Sequence, residues 1–278
     1  MTTSRHHFAL LGHPVEHSLS PRIHLAAFAA VGLPHDYQLR DCPSEAELRD
    51  AVADVRSGVL HGANITIPHK SAVLEYVDVV DASAAEVGAA NVLARAGGSV
   101  VAHNTDRQAL RERFVAHQVS GGAALVLGSG GAARAAVSAL IQLGMSPVLV
   151  VARRFAVDAE RRAFGFSAAR LLAPGQVEQA LGGAPLRCVV QATSVGMSGV
   201  SGDVSAWVPW HSLPQGALAL DVVYAQRDTT FLSTAAAHGL RVEGGLPMLV
   251  AQASLAWRLW LERDAPREAM LTAARGGT

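Results

Sequence analysis

Two stretches of this chain end on residues able to move a proton: Lys70, where ANITIPHK runs out, and Asp106, where VVAHNTD runs out. The first stretch opens as a buried strand should, with Ile65 and Ile67 on either side of Thr66, and then meets a proline, a histidine and the lone cation. A lysine and an aspartate held together could bond a hydroxyl and pass its proton. Most lysines and aspartates are simply solvated, so neither stands out by itself. In GHPVEHSLSPRIH, Ser18 and Ser20 are two apart, and in an extended segment their hydroxyls would share a face. Pro21 suits the first helical position and Ser20 the N-cap, which places both serines at a helix N-terminus, a setting suited to a carboxylate. Read alone, Ser20 is a cap. Asn91 of GAANVL offers an amide that could hold a hydroxyl or complete a turn. His13 and His17 are four apart, but Pro14 lies between them and H-E-x-x-H is absent, so no metal is expected.

A second chemistry is carried by LVLGSGGAARAA, which fits G-x-G-x-x-A through Gly128, Gly130 and Ala133. Glycines let backbone approach a pyrophosphate, and a helix N-terminus offers free N–H groups and the positive end of a dipole. The competing reading is a glycine turn chosen only for tight packing. The end of the next strand bears on the ribose: an acid there would bond the 2′-hydroxyl of NAD, whereas arginine accommodates the 2′-phosphate of NADP. VVARRFAVDAE supplies Arg153 and Arg154 and no acid before Asp158, which favours NADP, with NAD as the alternative.

The elements that must position these residues alternate between short apolar runs and helical stretches, the rhythm of βαβ units. HFALLG, HDYQLRDC and HGANITIP read as strands, and SPRIHLAAFAAVG and SEAELRDAVADVRSG as helices. Two short helical pieces follow. In NVLARAGGSVVAHN two alternating runs are joined by AGG into a hairpin that interrupts the rhythm. It restarts at Gly122 with AALVL, the glycine turn and a helix, and continues through PVLVVARR, RCVVQATS and ALALDVVY as strands. The expectation is an α/β chain of two domains. Residues 1–106, completed by 245–278, form an N-terminal α/β substrate domain, and 107–244 a Rossmann-type doubly wound parallel sheet. A helix from about Met248 to Arg263 is too apolar to stand free and should pack back on the first domain, while TAARGGT is expected to fray.

With 278 residues, 50% of them hydrophobic, the chain can bury a large core, and its 23 basic and 23 acidic residues balance. No global field therefore favours nucleic acid or an anionic membrane, and the expected partner is a small molecule, with the protein a monomer or homodimer. Cys42 and Cys188 read as core thiols in a cytoplasmic protein. The start MTTSRHHFALLG has too short an apolar run for a signal peptide, and no window is apolar enough for a membrane span.

Eight motifs in order, GHPVEHSLSP, NITIPHK, GAANVL, HNTD, GSGGAARAA, ATSVGM, DVVY and GLPMLVAQ, resemble the shikimate dehydrogenase family across nearly the whole chain. The resemblance implies reversible NADP-linked oxidation of shikimate to 3-dehydroshikimate. It implies that Ser18 and Ser20, helped by Tyr224, hold the substrate carboxylate. Thr66, Lys70, Asn91, Asp106 and Gln252 would surround the ring hydroxyls, with Lys70 the acid–base group and Asp106 its partner. On the cofactor side it implies Gly128, Ser129, Gly130, Gly131, Ala132, Arg153, Arg154, Thr193, Met197, Val222 and Gly245, of which Met197 and Gly245 read equally as packing and backbone positions. The chain departs from the family pattern in several places. Arg107 stands where glycine usually follows N-T-D, and Ala152, Arg153 and Arg154 stand for N-R-T. Leu25 and Gln191 replace asparagines, and Ala225 and Gln226 replace N-P. Quinate or an amino analogue of shikimate is the alternative substrate, and a dinucleotide-sensing protein without turnover the alternative of another class.

Overall fold

Five of the six residues of HFALLG are buried, and they form strand β1 (His7–Gly12), which is paired on both sides. In the computed structural model, which describes residues 4–224 and 229–276, the chain divides into two units. The first comprises Met1–Ala109 with Leu249–Thr278, and the second Leu110–Met248.

In the first unit β1 is followed by α1 (Ser20–Ala30), β2 (Asp36–Asp41), α2 (Glu45–Ser57) and β3 (Gly62–Ile65). Next come β4 (Val79–Val80), α3 (Ala82–Val87), β5 (Val92–Ala96), β6 (Ser99–His103) and the start of α4 (Asp106–Ala116). The sheet order is β2-β1-β3-β5-β6-β4. Its β1, β2 and β3 run parallel, and the β5–β6 hairpin pairs antiparallel with β3. The hairpin turns on Gly97 and Gly98, both at positive φ (57° and 92°), as a two-residue turn matched to strand twist requires. Helix α2 begins with a reciprocal capping box between Ser44 and Glu47 and stops at Gly58 in the left-handed region. Leu48, Val52 and Val55, on one face of α2, join Leu11, Ile65, Leu93 and Val100 in the core.

The second unit contains β7 (Ala123–Leu127), α5 (Gly131–Gln142), β8 (Val148–Val151), α6 (Asp158–Phe164) and β9 (Ala169–Leu172). It continues with α7 (Val177–Leu181), β10 (Leu186–Gln191), β11 (Leu218–Asp221), α8 (Thr230–Ala237) and β12 (Arg241–Glu243). All pairings in the order β12-β11-β10-β7-β8-β9 are parallel. Counted within the unit this is the Rossmann order, 3-2-1-4-5-6 read from the β9 edge, with its switch point between β7 and β10. Every residue of β7 and β8 is buried, as a sheet covered on both faces demands. Arg113 and His117 on α4 both bond Glu243, through Nε–Oε1 and Nη2–Oε2 at 2.7 Å each and Nε2–Oε2 at 2.6 Å. Burial pushes the Glu243 carboxyl up, but these bonds outweigh it and hold the group below its usual value.

The chain passes between units inside α4 and inside α9 (Leu246–Leu261), rather than at the 106/107 and 244/245 boundaries read from the sequence. From Leu249 on, α9 belongs to the first unit. There the Trp257 indole donates to Nδ1 of buried His24 at 3.0 Å and stacks on Phe28, and Trp260 donates to the Leu93 carbonyl at 2.9 Å and stacks on Phe8. A Cβ on Gly62 would overlap the Trp260 ring, so β3 needs glycine where the indole crosses it. The last segment corrects an expectation. Thr272–Arg275 of TAARGGT does not fray but ends a further helix, α10 (Arg267–Arg275), which buries Met270 and Ala274 and packs on α1. Three short strands, β4, β9 and β12, were also not expected. Both cysteines are buried, and burial pushes the Cys188 thiol up to about 12.

Burial pushes His24 down from 6.5 to about 3. His35 and His61, whose rings stack either side of His6, are also lowered, first by burial and then by the neighbouring His6. The unfolded chain takes up protons on these rings that the folded chain refuses, so their contribution is complete above the unfolded value and is lost as pH falls below it. For His24 the loss between pH 7.5 and 5.5 is on the order of 1 kcal/mol. Melting curves across that range should show a falling Tm, with a shallower fall in His24→Gln. Equal slopes in the two proteins would contradict the assignment.

Candidate active site

Lys70 does not end a strand, as the sequence suggested. Strand β3 stops at Ile65, and Lys70 lies in the turn that follows, because Ile67 faces outward, 40% exposed, instead of continuing the buried face. The turn is held from several sides. Thr66 N–H donates to the Leu11 carbonyl and His13 N–H to the Ile67 carbonyl, both at 2.9 Å, and Ala90 N–H donates to the Lys70 carbonyl at 2.7 Å. The His69 ring meets the Cys42 carbonyl at 2.6 Å. A Cβ on Gly12 would overlap the Thr66 methyl and the Ile67 carbonyl, so close approach of the loops after β1 and β3 requires glycine there.

From this turn Lys70 Nζ donates to Asp106 Oδ2 at 2.6 Å, with the two side chains 18% and 3% exposed. The other carboxylate oxygen, Oδ1, accepts from Asn91 Nδ2 at 2.9 Å. Asn91 Nδ2 also lies 2.9 Å from Thr105 Oγ1 and 3.1 Å from Gln252 Oε1, and Asn91 Oδ1 accepts from Thr105 N–H at 2.7 Å. Thr105 Oγ1 donates to the Gln252 carbonyl at 3.1 Å, and Gln252 Nε2 to the Leu249 carbonyl at 3.0 Å. The Asn91 amide has two protons for three oxygens, so it cannot donate a separate proton to each of them. Lys70 keeps N–H donors that no described residue engages.

Of the residues expected to handle substrate, Lys70, Asn91, Asp106 and Gln252 are thus brought into one network. Ser18 and Ser20 meet each other, with Ser18 Oγ donating to Ser20 Oγ and accepting from Ser20 N–H, both at 3.2 Å. They meet through a turn and not through an extended segment, and Ser20 is the first residue of α1, not its N-cap, which is Leu19. Thr66 sits beside Gly12, outside the network, and Tyr224 lies in the second unit. Thr105 was missed in the sequence, where an alcohol between Asn104 and Asp106 carries no periodic signal. Arg107, the departure beside the aspartate, has its guanidinium engaged by Glu86 and its N–H by Asn104 Oδ1. Ala225 and Gln226 lie outside the described residues.

In the second unit the glycine turn sits at the carboxyl end of β7, at the switch point. Gly128 has φ +118°, and a Cβ there would stand 2.6 Å from the Ala192 carbonyl, so the fold alone demands glycine. Gly130 is different. Its φ of −81° suits any residue, and a Cβ there meets nothing within 4 Å. It stands where Gly131 and Ala132 open α5, whose N-terminus has no side-chain cap. An open space in front of free N–H groups fits a pyrophosphate, and these residues, with Ser129, could hold one. Beyond β8, Arg154 pairs with Glu160, whereas Arg153 is exposed and no described residue engages it. Thr193 closes its own turn, its N–H on Gln191 Oε1 at 2.5 Å and its Oγ1 accepting from Val195 N–H at 3.1 Å. Val222 N–H donates to the Gln191 carbonyl at 3.0 Å, Met197 is 39% exposed, and a Cβ on Gly245 would overlap the Val222 carbonyl.

A Rossmann-type unit paired with a second α/β unit that carries a desolvated lysine and aspartate is the build of a dinucleotide-dependent oxidoreductase. Comparison with known proteins narrows the class. Residues 10–93 match the shikimate dehydrogenase substrate-binding domain, and 245–275 the shikimate 5′-dehydrogenase C-terminal domain. Shikimate dehydrogenase (NADP(+)) of Symbiobacterium thermophilum is 39% identical over 280 residues, which cover 95% of this chain and 92% of its own. The crystal structure of shikimate 5-dehydrogenase from Thermus thermophilus, in complex with NADP(H) and shikimate, has 37% identity and a TM-score of 0.83 over 98% of this chain and 100% of its own. That of shikimate 5-dehydrogenase from Listeria monocytogenes, in complex with shikimate and NAD, has 26% identity and a TM-score of 0.81 over 96% and 95%. The chain belongs to the shikimate dehydrogenase family.

Because Gly130 is free of packing and of backbone strain but is the N-cap of α5, Gly130→Ala should change the Tm little, the poorer capping of alanine offsetting the entropy it removes from the unfolded chain. Titration of dinucleotide fluorescence should show binding weakened by about tenfold or more, since a methyl then occupies the space in front of α5. Unweakened binding would return the glycine to a chance of sequence.

Proposed function

We propose that this chain catalyses the reversible NADP-linked oxidation of shikimate to 3-dehydroshikimate, with Lys70 and Asp106 as its acid–base pair. The observation that carries the reading is the 2.6 Å Lys70–Asp106 bond in a nearly dry setting, in a chain of this family. NADP, when bound, supplies the hydride acceptor. As the neutral amine, its own proton first passed to solvent, Lys70 Nζ takes the proton of the substrate hydroxyl in the oxidative direction and returns it in the reductive one. Asp106 holds the ammonium that results. Asn91 keeps Asp106 oriented, and Gln252 Oε1 or its neighbours receive a second ring hydroxyl. Ser18 and Ser20, whose hydroxyls already converge, hold the carboxylate with Tyr224, and Thr66 lines the ring. These polar types match a polyhydroxylated acid, and the occupation of Arg107 by Glu86 removes the clearest reason to expect a different one.

For the cofactor, Gly128 to Ala132 hold the pyrophosphate, and Arg153, the unengaged cation, meets the 2′-phosphate. Thr193, Met197, Val222 and Gly245 are proposed for the nicotinamide side.

Absorbance-monitored reduction of NADP and NAD by the purified chain, with shikimate, quinate and aminoshikimate in parallel, tests the reading. Fast NADP reduction with shikimate is expected. A clear preference for another acid would move the substrate, and absence of turnover on all three would leave a dinucleotide-sensing protein. Lys70→Ala should keep NADP binding and lose turnover by about 10²–10⁴-fold, and unchanged turnover would remove Lys70 from the mechanism. Arg153→Ala should raise the KM for NADP about tenfold or more while leaving that for NAD alone, the loss of one charge-assisted contact. An equal effect on both cofactors would reject the assignment.

A further inference from the structure

Asp221, the last residue of β11, has no exposed surface. Its Oδ1 accepts from Val223 N–H at 2.9 Å and its Oδ2 from the Thr229 hydroxyl at 2.6 Å. Thr229 Oγ1 in turn accepts from Leu232 N–H at 3.3 Å, where it caps α8. One carboxylate therefore joins the exit of β11 to the entry of α8, and Tyr224 follows directly on the residue it grips. Two neutral donors face the carboxylate, and no charged side chain among the described residues acts on it. Burial pushes it up to about 6 against the pull of those two bonds. A buried carboxylate held by neutral donors is a poor way to gain stability alone, since desolvation opposes it and an apolar side chain would fill the space at less cost. What such a group does well is fix geometry, because both its oxygens are already assigned.

We propose that Asp221, together with Thr229, is a positioning residue for Tyr224, fixing the backbone that presents its phenol to the substrate carboxylate. The inference rests on the reading above that gives Tyr224 this role. It concerns residues outside the acid–base network.

The test is a double-mutant cycle in the full chain between Thr229→Val, which removes the hydroxyl at nearly constant shape, and Tyr224→Phe. Thr229→Ser is the conservative control, and NADP binding and Tm are measured for each variant. Thr229→Val should raise the KM for shikimate about tenfold with kcat and NADP binding within about twofold, as loss of a hydrogen bond that acts on substrate binding alone. Thr229→Ser should restore the parent value. In the Tyr224→Phe background Thr229→Val should add nothing further to KM, because both changes remove the same interaction. If Thr229→Val does not fold, Asp221→Asn serves in its place. It keeps an acceptor for Val223 but turns an NH2 toward the Thr229 hydroxyl. An unchanged KM, effects that add in the double variant, or changes that follow Tm alone would overturn the inference while parent turnover leaves the parent reading standing. A parent chain with no turnover on any of the three acids would overturn both.

Discussion

A lysine and an aspartate joined at 2.6 Å with little water around them set conditions that most of the first unit goes on to meet. Taking two charges out of water is unfavourable unless each remaining polar atom finds a partner. Asp106 Oδ2 has Lys70, and Oδ1 has Asn91. Asn91 must then be fixed, which falls to Thr105, and Thr105 is anchored on the Gln252 carbonyl. The requirement thus passes through four separate stretches of chain and reaches α9, far along the sequence. That is one physical reason for a closing segment to return to the first unit. Trp257 and Trp260 supply the apolar burial, and Gln252 supplies a polar group that nothing nearer in sequence offers. Because the network is shared, removing one member would leave others buried without partners, and its effect would exceed that of the bond removed.

The glycines divide according to what asks for them. At Gly12, Gly62, Gly128 and Gly245 a side chain would run into backbone or an indole, and at Gly128 the left-handed φ adds a second reason. These positions explain themselves through packing, including three, Gly12, Gly128 and Gly245, that lie in family motifs. Gly130 answers to neither demand. It is the N-cap of α5, and the uncapped start of that helix leaves N–H groups and the positive end of a dipole beside open space, a setting that suits an anion.

Legibility in the sequence followed the same line between local and distant causes. Long elements with a clear period, such as β1, α2, the β5–β6 hairpin, β7 and α5, could be read because their patterns are set by neighbours a few residues away. Strands β4 and β9 are short and largely unburied, so no alternation marks them. Helix α10 buries only Met270 and Ala274, one turn apart, against α1, and a polar segment with so small an apolar stripe reads as a tail. The strand before Lys70 was drawn too long because Ile67 is apolar yet exposed. At the site, residue types were visible and pairings were not. Both arginines after β8 stand in the sequence, but only the fold shows Arg154 turned to Glu160 and Arg153 left over. Thr105 became a site residue only through contacts with residues 14 and 147 positions away.

The departures from the family pattern can be weighed by where their polar atoms go. Gln191, which stands for an asparagine, has one methylene more, and its amide serves both sides of the turn ahead of it. Oε1 takes the Thr193 N–H, and Nε2 reaches the Val195 carbonyl at 2.8 Å. On the neighbouring strand Asp221, paired with Gln191 in register, does the same for the segment that follows it. Adjacent strand ends thus each carry a buried polar side chain that shapes its own loop, and the longer amide performs this work without presenting a new group outward. Arg107 is absorbed in the same manner by Glu86. In both places the new side chain directs polar atoms to partners within its own unit. Among the described residues, unserved N–H donors remain on Lys70, where the proposed chemistry places a substrate hydroxyl.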